Sequence, residues 1–356
     1  MDSLTQFVLG AAVSTVVLGP KMGPRKAAIL GGVLGTLPDL DVFLPFDDPV
    51  DSFVYHRGWT HSLVIHALAA PVIGEALVRL VRPLRTERVR TWLAVFLCLS
   101  THALLDAMTI YGTRLFWPLY PDPVGAGSVF IIDPLYTLPL LGVVLWSLSR
   151  RHWSKALGRA VSTALIFSTG YLALGLGLQA HIEARARVLF REAGVEPEKV
   201  LAIAGPFNTV LWKVIALESD TYHNLYLSLL DTKTPPQLYS HPRRSDLAAC
   251  LEGTEPYEKL VWFSHGFLKA EERDGAVVVS DLRMGMTPDY VFRFALAEIE
   301  DGRVNPVEPR RAAGTRVMAE GDGDWLVSRL LGRAVARPAE PGPEVPTEKA
   351  PLRCPS

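Results

Sequence analysis

The chain has 356 residues, a length typical of two domains or of one large domain. It contains 36 Lys and Arg residues against 37 Asp and Glu residues, and the resulting formal net charge of −1 argues against nucleic acid as a partner. Residues 1–180 hold only 14 of the basic and 11 of the acidic side chains. This asymmetry excludes a single soluble globule, because the first half has the composition of a membrane domain and the second half that of a water-exposed domain.

Six apolar segments in the first half are close to the length of about 20 residues that crosses a bilayer. They lie at about 4–19, 27–46, 60–81, 89–111, 129–148 and 157–180. The second segment is the least regular, because Pro38, Asp39 and Asp41 lie inside it. The sequence therefore predicts a multi-pass α-helical membrane domain of about six spans over residues 1–180.

The loops between these segments alternate in charge. Loops 20–26, 79–90 and 149–159 are basic, whereas loop 47–58 is acidic and loop 112–128 is nearly neutral. Because the basic loops of membrane proteins face the cytoplasm, we expect a cell (inner) membrane protein whose N-terminus lies outside the cytoplasm. Everything after the sixth span then forms an extracytoplasmic domain.

Several ionisable residues fall near the predicted outer face of the membrane domain. They are Asp39, Asp41, His56, His61, His102 and Asp106. Because an ionisable group inside a membrane is costly, each of these residues is a candidate for function. The orientation rests on Lys and Arg alone, so the shared position of the Asp and His residues is an independent indication of one site.

The spacing of these residues is suited to binding a divalent metal. His102 and Asp106 are four residues apart and share one face of a helix, while Asp39 and Asp41 follow Pro38 at a broken helix end. A set of nitrogen and oxygen donors without thiolates suits Zn²⁺ or Mn²⁺, with room for one or two ions. For the His102–Asp106 pair, the structural alternative is a buried hydrogen-bonded pair that locks helices together.

Other polar residues nearby have two interpretations each. His66 lies deeper in its span, which favours a packing or hydrogen-bonding role. Arg57 and Trp59 fit a substrate-anion contact and an interface anchor, or a snorkelling arginine and an interfacial aromatic residue. Asp2 and Asp133 fit either a supporting position at the site or helix caps.

Four motifs of this sequence resemble those of the YdjM-like family of membrane-bound, predicted metal-dependent hydrolases. They are MDSLT at 1–5, LPDLD at 37–41, HRGWTHS at 56–62 and HALLDAMTIYGT at 102–113. The resemblance implies a metal-dependent hydrolase site in a multi-pass membrane protein, formed by the six residues named above. The family usually opens MDxxTH, whereas this chain has Gln6 at the position of that His. Gln is a poor zinc ligand, so either position 6 is not a ligand or one metal site is altered here.

Residues 181–336 have the pattern of an extramembrane α+β domain with an antiparallel sheet. Strand-like runs lie at 208–217, 221–230, 259–270, 276–282 and 290–299, and helical runs lie at 184–194, 243–252 and 323–336. Short turn signals at 218–220 and 273–275 join neighbouring runs, which indicates antiparallel pairing.

The end of the chain and its cysteines give two further expectations. Residues 337–356 contain six prolines and predict a disordered tail. Cys98, Cys250 and Cys354 are far apart in the sequence and predict no disulfide framework.

The leading hypothesis is a membrane-embedded hydrolase in which a metal-bound hydroxide attacks a phosphoester or ester of a membrane lipid or lipid-linked substrate. Asp39, Asp41, His102 and Asp106 are the expected catalytic residues. The alternative is a non-enzymatic membrane protein, either a metal transporter or an envelope scaffold with a structural His/Asp cluster. Transport predicts a polar path across the membrane, whereas the inner halves of the spans are almost uncharged apart from Glu75. The second domain would cover the outer mouth of the site or bind an envelope protein partner.

Overall fold

The computed structural model describes residues 1–231, 236–313, 319–340 and 352–354. The chain forms two compact units. The first consists of Met1–Leu44, Arg57–Leu178 and Pro206–Thr209, and the second of Pro45–His56, Gln179–Gly205 and the described part of Val210–Ser356. The main change of unit, after residue 178, lies close to the predicted boundary after residue 180. The assignment of residues 45–56 to the second unit has no counterpart in the sequence prediction.

Residues 1–192 are all described, and their regular structure is helical. The α-helices are α1 (Ser3–Met22), α2 (Pro24–Thr36), α3 (Pro49–Tyr55), α4 (Leu63–Leu80), α5 (Arg88–Met108), α6 (Pro134–Ser149) and α7 (Lys155–Glu192). Short 3-10 helices cover Pro38–Phe43, Trp59–His61 and Arg82–Leu84. The predicted separate helix at 184–194 is the end of α7, which continues without a break to Glu192.

Four helices among the described residues are long and apolar enough to cross a membrane, namely α1, α4, α5 and α7. Helix α6 is apolar but has 16 residues. The second predicted span consists of α2, with 13 residues, followed by the 3-10 helix that begins at Pro38. Proline has no amide hydrogen with which to continue the helical ladder, which explains the change. A helical membrane region is therefore present, but the count of about six spans is not confirmed.

Helices α1 and α2 pack closely through glycines. A Cβ atom on Gly10 would lie 2.3 Å from the carbonyl oxygen of Gly31, and one on Gly35 would lie 2.8 Å from the carbonyl oxygen of Gln6. Small residues of this kind let two membrane helices approach until their backbones touch. The close approach holds the end of α2, which leads directly into Asp39, against the first turns of α1.

The second unit contains two four-stranded antiparallel sheets, as predicted in kind. The first has the order β1 (Lys199–Ala204), β2 (Leu211–Leu217), β3 (Thr221–Ser228) and β4 (Leu238–Pro242). The second contains β5 (Leu268–Arg273), β6 (Ala276–Asp281), β9 (Arg293–Glu300) and β10 (Arg303–Arg311), in the order β10-β9-β6-β5. A two-stranded ribbon of β7 (Gly285–Met286) and β8 (Asp289–Tyr290) lies between β6 and β9 in sequence. The helices are α8 (Ser245–Ala249), α9 (Glu255–Ser264) and α10 (Asp322–Leu330).

Tight turns join the neighbouring strands of the second sheet. Asp274 and Gly275 have φ values of 52° and 75°, and Asp301 and Gly302 have values of 47° and 74°. Two successive residues with positive φ are the mark of the type I′ turn, which suits the twist of a hairpin and favours Asp-Gly. The turn signal at 273–275 is therefore confirmed.

The prediction of a strand over 259–270 is wrong in its first half. Residues up to Ser264 belong to α9, and β5 begins only at Leu268. Pro256 near the start of α9 and the buried residues Leu260 and Phe263, three apart, give a helical pattern that the apolar composition of the run obscures. Strands β1, β4 and β10 were not predicted. Strand β10 lies at a sheet edge, where its proline residues are tolerated.

The expectation of no disulfide framework is also wrong, because Cys250 and Cys354 form a disulfide within the second unit. Parts of the predicted disordered tail are described and contact the domain. Arg337 pairs with Asp322 at 2.7 Å, and Glu340 is buried. Residues 352–354 include the bridged cysteine, whereas 341–351 and 355–356 lie outside the described residues.

Helix α3 packs within the second unit. The Phe53 ring lies 4.8 Å from the ring of Phe263 on α9 and 4.3 Å from that of Phe292. Lys259 of α9 donates to Asp51 at 2.5 Å. Residues 45–56 thus contribute to the core of a domain that otherwise begins more than 120 residues later in the chain.

Candidate metal centre

Four side chains of the first unit converge on one point. Asp39 comes from the 3-10 helix after α2, His61 ends the 3-10 helix before α4, and His102 and Asp106 occupy the last two turns of α5. One ligand atom from each residue lies within 4.8 Å of the other three. Two broken helix ends and one helix face therefore supply the donor set, as the spacing of the motifs indicates.

The distances between the donor atoms suit a tetrahedral ion. The Nε2 atoms of His61 and His102 are 3.1 Å apart, and each lies 3.4 Å from Asp39 Oδ1. Asp106 Oδ2 lies 3.3 Å from the first ring and 3.4 Å from the second. A tetrahedron with metal–ligand bonds of about 2.0 Å has edges of about 3.3 Å. Five of its six edges are thus reproduced by the described donors.

Hydrogen bonds fix the tautomers of both imidazole rings. His102 Nδ1 donates to the carbonyl oxygen of Gly35 at 2.6 Å, so in the neutral ring Nε2 carries the lone pair. The Thr60 hydroxyl donates to Asp41, and His61 Nδ1 lies 3.0 Å from that hydroxyl oxygen and donates to it. Two Nε2 lone pairs then face each other beside two carboxylates. Such an arrangement calls for a cation, and it is the orientation that outer partners give to metal-binding histidines.

Of the six predicted ligands, Asp41 and His56 are not in this group of four. Asp41 is buried on the Nδ1 side of His61, 3.6 Å from that nitrogen, and accepts from the Arg57 amide at 2.9 Å and the Thr60 hydroxyl at 2.8 Å. It fixes the loop that presents His61. His56 follows α3, is half-buried and belongs to the second unit.

Asp106 is fully buried and surrounded by donors. Arg57 Nε lies 3.2 Å from its Oδ2, Gln6 Nε2 donates to its Oδ1 at 3.0 Å, and the Met1 amino group also contacts Oδ1. Arg57 is itself buried, has a φ of 60° and donates to Thr109 at 3.3 Å. It is therefore an interior partner of the site and not a snorkelling arginine. The ion pair offsets charge that would otherwise be costly to bury.

Gln6 lies directly beside the donor set. It is fully buried, and its Nε2 also reaches the carbonyl oxygen of His102 at 3.4 Å. Its Oε1 has no hydrogen-bond partner among the described residues. The position at which this chain departs from the MDxxTH pattern is thus in contact with the site, and in this chain it supports Asp106.

The remaining polar residues have structural roles. His66 Nε2 donates to the carbonyl oxygen of Thr60 at 2.8 Å, which confirms the predicted hydrogen-bonding role. Asp2 caps α1 by accepting from the Thr5 amide at 3.0 Å, and Asp133 caps α6 by accepting two amides of its first turn. Both acidic residues are helix caps. Thr60 and Gly35 are two further residues of the site, and of these Thr60 alone carries a sequence signal, as part of the HRGWTHS motif.

The donor set has an opening at Asp39. The Asp39 side chain is 25% exposed, whereas those of His61, His102 and Asp106 are buried. The same 3-10 helix exposes Leu40 and, most of all, Phe43, which is 80% exposed. The opening therefore has an apolar edge, the kind of surface that contacts lipid chains.

Comparison with known proteins identifies the membrane half of the chain. A family model described as YdjM inner membrane protein matches residues 1–181. Uncharacterized protein YfhP of Bacillus subtilis (strain 168) is 25% identical over 199 residues, which cover 54% of this chain and 59% of the relative. Inner membrane protein YbcI of Escherichia coli (strain K12) is 36% identical over 105 residues, which cover 29% of this chain and 58% of the relative. The chain thus spans just under three fifths of the length of each relative. No solved structure matches it.

Proposed function

The chain belongs to the YdjM inner membrane protein family, and we propose that this protein is a metal-dependent hydrolase embedded in the inner membrane. Its proposed substrate is a phosphoester or ester of a membrane lipid or lipid-linked molecule, cleaved at the outer face of the membrane. The observation that carries the proposal is the convergence of Asp39, His61, His102 and Asp106 at the spacing of a tetrahedral metal site.

The residues present fit a divalent cation such as Zn²⁺ or Mn²⁺. The two imidazoles offer ring nitrogens and the two carboxylates offer oxygens, which are donor types that both ions accept. A divalent ion held there would supply Lewis acidity, and it would activate a water either as a fifth ligand or at the position that Asp39, the most exposed of the four ligands, gives up. The partly exposed carboxylate of Asp39 is placed to take a proton at the opening, and the ion pair with Arg57 holds the Asp106 carboxylate in the donor set. The proposal allows one or two ions, with Asp41 supporting His61 from behind and not acting as a ligand.

Two features support an extracytoplasmic position for the opening and for the second domain. The basic loops 20–26, 79–90 and 149–159 would face the cytoplasm, and the end of α5 that carries His102 and Asp106 would then lie at the other face. The disulfide between Cys250 and Cys354 belongs to the second unit, and disulfides persist in oxidising compartments outside the cytoplasm. There the second domain would also be accessible to an envelope protein partner.

A six-span topology is compatible with the short helices. Helix α2 and the following 3-10 helix have 13 and 6 residues, and together rise about 32 Å if they run end to end. The 16 residues of α6 rise about 24 Å and end beside basic loop 149–159. We therefore propose that α2 and α6 are the remaining two of six spans. Six spans are the number for which the loops alternate between basic and non-basic.

The test is the metal content of the full chain purified in detergent without chelators after growth with added Zn²⁺ and Mn²⁺. Wild type is compared with His102→Ala and Asp39→Ala, and with His152→Ala, which removes an exposed histidine of a loop. We expect about one or two equivalents in wild type and in the control, and none in the two site variants. A wild type without metal would make the cluster a helix-locking network, and the hydrolase proposal would be wrong.

Activity then separates hydrolysis from transport. The metal-loaded protein is assayed on fluorogenic phosphoesters and lipid esters, and the same protein in liposomes is assayed for Zn²⁺ uptake. Hydrolysis that His102→Ala abolishes supports the proposal. Metal-dependent uptake without hydrolysis would favour the transporter alternative.

A further inference from the structure

A groove lies between α1 and the start of α7 in the first unit, with a volume of about 660 Å³. Its lining includes Val16, Trp153, Lys155, Arg159, Ser162 and Thr163. The Trp153 ring forms a rigid wall, because it occupies space where a Cβ on Gly19 or Gly158 would lie within 2.6 Å of it. The groove is therefore a built feature of the helix packing.

The cations of this groove have no acidic partner. Neither Lys155 nor Arg159 forms an ion pair with any of the described residues, although both are exposed. A neighbouring groove of about 780 Å³ between α1 and α5 differs in this respect. There Arg88 pairs with Glu75 at 2.9 Å, and Arg90 lies 3.5 Å from Glu87. Of these two grooves, the one at α7 is the one whose cations have no acidic partner among the described residues.

Along α7 the side chains change from basic to hydroxyl-bearing to apolar, which is the order that would match the headgroup, the phosphate region and the acyl chains of a phospholipid. Arg159 is followed one turn later by the hydroxyls of Ser162 and Thr163, and one further turn brings Ile166 and Phe167 to the same face. The last two residues are 73% and 48% exposed. Arg159 and Ile166 are about 10 Å apart along the axis, so a headgroup contact at Arg159 leaves the acyl chain to follow the apolar part of the helix.

We propose that this groove binds one anionic phospholipid. Lys155 and Arg159 contact the phosphate, the hydroxyls of Ser162 and Thr163 donate to its oxygens, and an acyl chain lies along Ile166 and Phe167. Basic pockets between membrane helices on the cytoplasmic side are suited to anionic headgroups. The groove lies next to basic loop 149–159, so its lipid would come from the cytoplasmic leaflet. This site is separate from the candidate metal centre and does not depend on the proposed hydrolase function.

The test is native mass spectrometry of the full chain in detergent, titrated separately with phosphatidylglycerol, phosphatidylcholine and inorganic phosphate. Lys155→Gln with Arg159→Gln is compared with the matched pair Arg88→Gln with Arg90→Gln, whose cations are already ion-paired. We expect wild type and the control pair to prefer phosphatidylglycerol. The Lys155/Arg159 variant should lose roughly thirty-fold in affinity for it, the contribution of two cations near a lipid surface.

Three outcomes would overturn the proposal. They are an unchanged preference in the Lys155/Arg159 variant, an equal loss in the control pair, and saturation by inorganic phosphate at the same concentrations as by the lipid. If the Gln variant does not fold, Lys155→Arg with Arg159→Lys keeps both charges and should retain the preference. Loss of lipid binding in that folded variant would also contradict the proposal.

Discussion

Replacing Asp41 with Asn tests whether this carboxylate supports the metal centre from behind His61. The carboxylate accepts two hydrogen bonds, from the Arg57 amide and the Thr60 hydroxyl, and lies 3.6 Å from His61 Nδ1. A hydrogen bond to a charged acceptor contributes about 1 kcal/mol more than one to a neutral acceptor. Loss of the charge at two bonds therefore amounts to about 2 kcal/mol, which sets an upper bound of roughly thirty-fold on the fall in metal affinity. Substitutions of outer partners in metal sites weaken binding by about 10- to 100-fold.

The assay is a competitive titration of Zn²⁺ between the purified full chain and a chromophoric chelator. The control is Asp47→Asn, which makes the same chemical change at an exposed carboxylate of the same loop. An Asp41→Asn affinity equal to that of the control would show that the Asp41 carboxylate contributes nothing. Complete loss of metal in a folded protein, as expected for His102→Ala, would show that Asp41 is itself a ligand. Either result would refute the supporting role.

Three other substitutions have defined outcomes. Gln6→His places an imidazole beside Asp106 and should raise the metal stoichiometry; an unchanged stoichiometry would mean that position 6 is not a ligand position. Burial lowers the pKa of Lys213 to about 7, so above pH 7 the unfolded chain binds a proton that the folded one lacks. The melting temperature of wild type relative to Lys213→Met should therefore rise between about pH 7 and 10, whereas a constant difference would contradict this. Cys250→Ser should destabilise the second domain by about 2–5 kcal/mol, and reduction of wild type should reproduce that effect in thermal unfolding.

The sequence predicts those site residues whose side-chain direction depends only on the local backbone. His102 and Asp106 share a helix face because they are four residues apart. Pro38 predicts the helix break after which Asp39 is presented. The spacing between Asp39 and Asp41 carries no such information. Their opposite roles depend on the 3-10 geometry of the segment, which exposes Asp39 and turns Asp41 toward the Arg57 amide.

The features that the sequence does not predict depend on contacts between residues that are distant in the chain. Gly35 fixes the tautomer of His102 through a backbone carbonyl, and no side-chain pattern records such a contact. Cys250 and Cys354 are 104 residues apart, and cysteine spacing does not predict pairing over that distance. The apolar content of the run at 259–270 fits both a strand and a helix, and the burial of Leu260 and Phe263 selects the helix.

Residues 45–56 belong to the second unit, and this limits which truncated forms of the protein are informative. The segment begins four residues after Asp41 and ends immediately before Arg57, and its Phe53 is buried by Phe263 and Phe292. A chain shortened to the membrane half would keep α3 and lose Phe263 and Phe292, which pack against Phe53. If such a truncated protein did not bind metal, the cause would therefore be the loss of packing around residues 45–56 and not the loss of a ligand. Point substitutions in the full chain are the sound way to separate the contributions of the two halves.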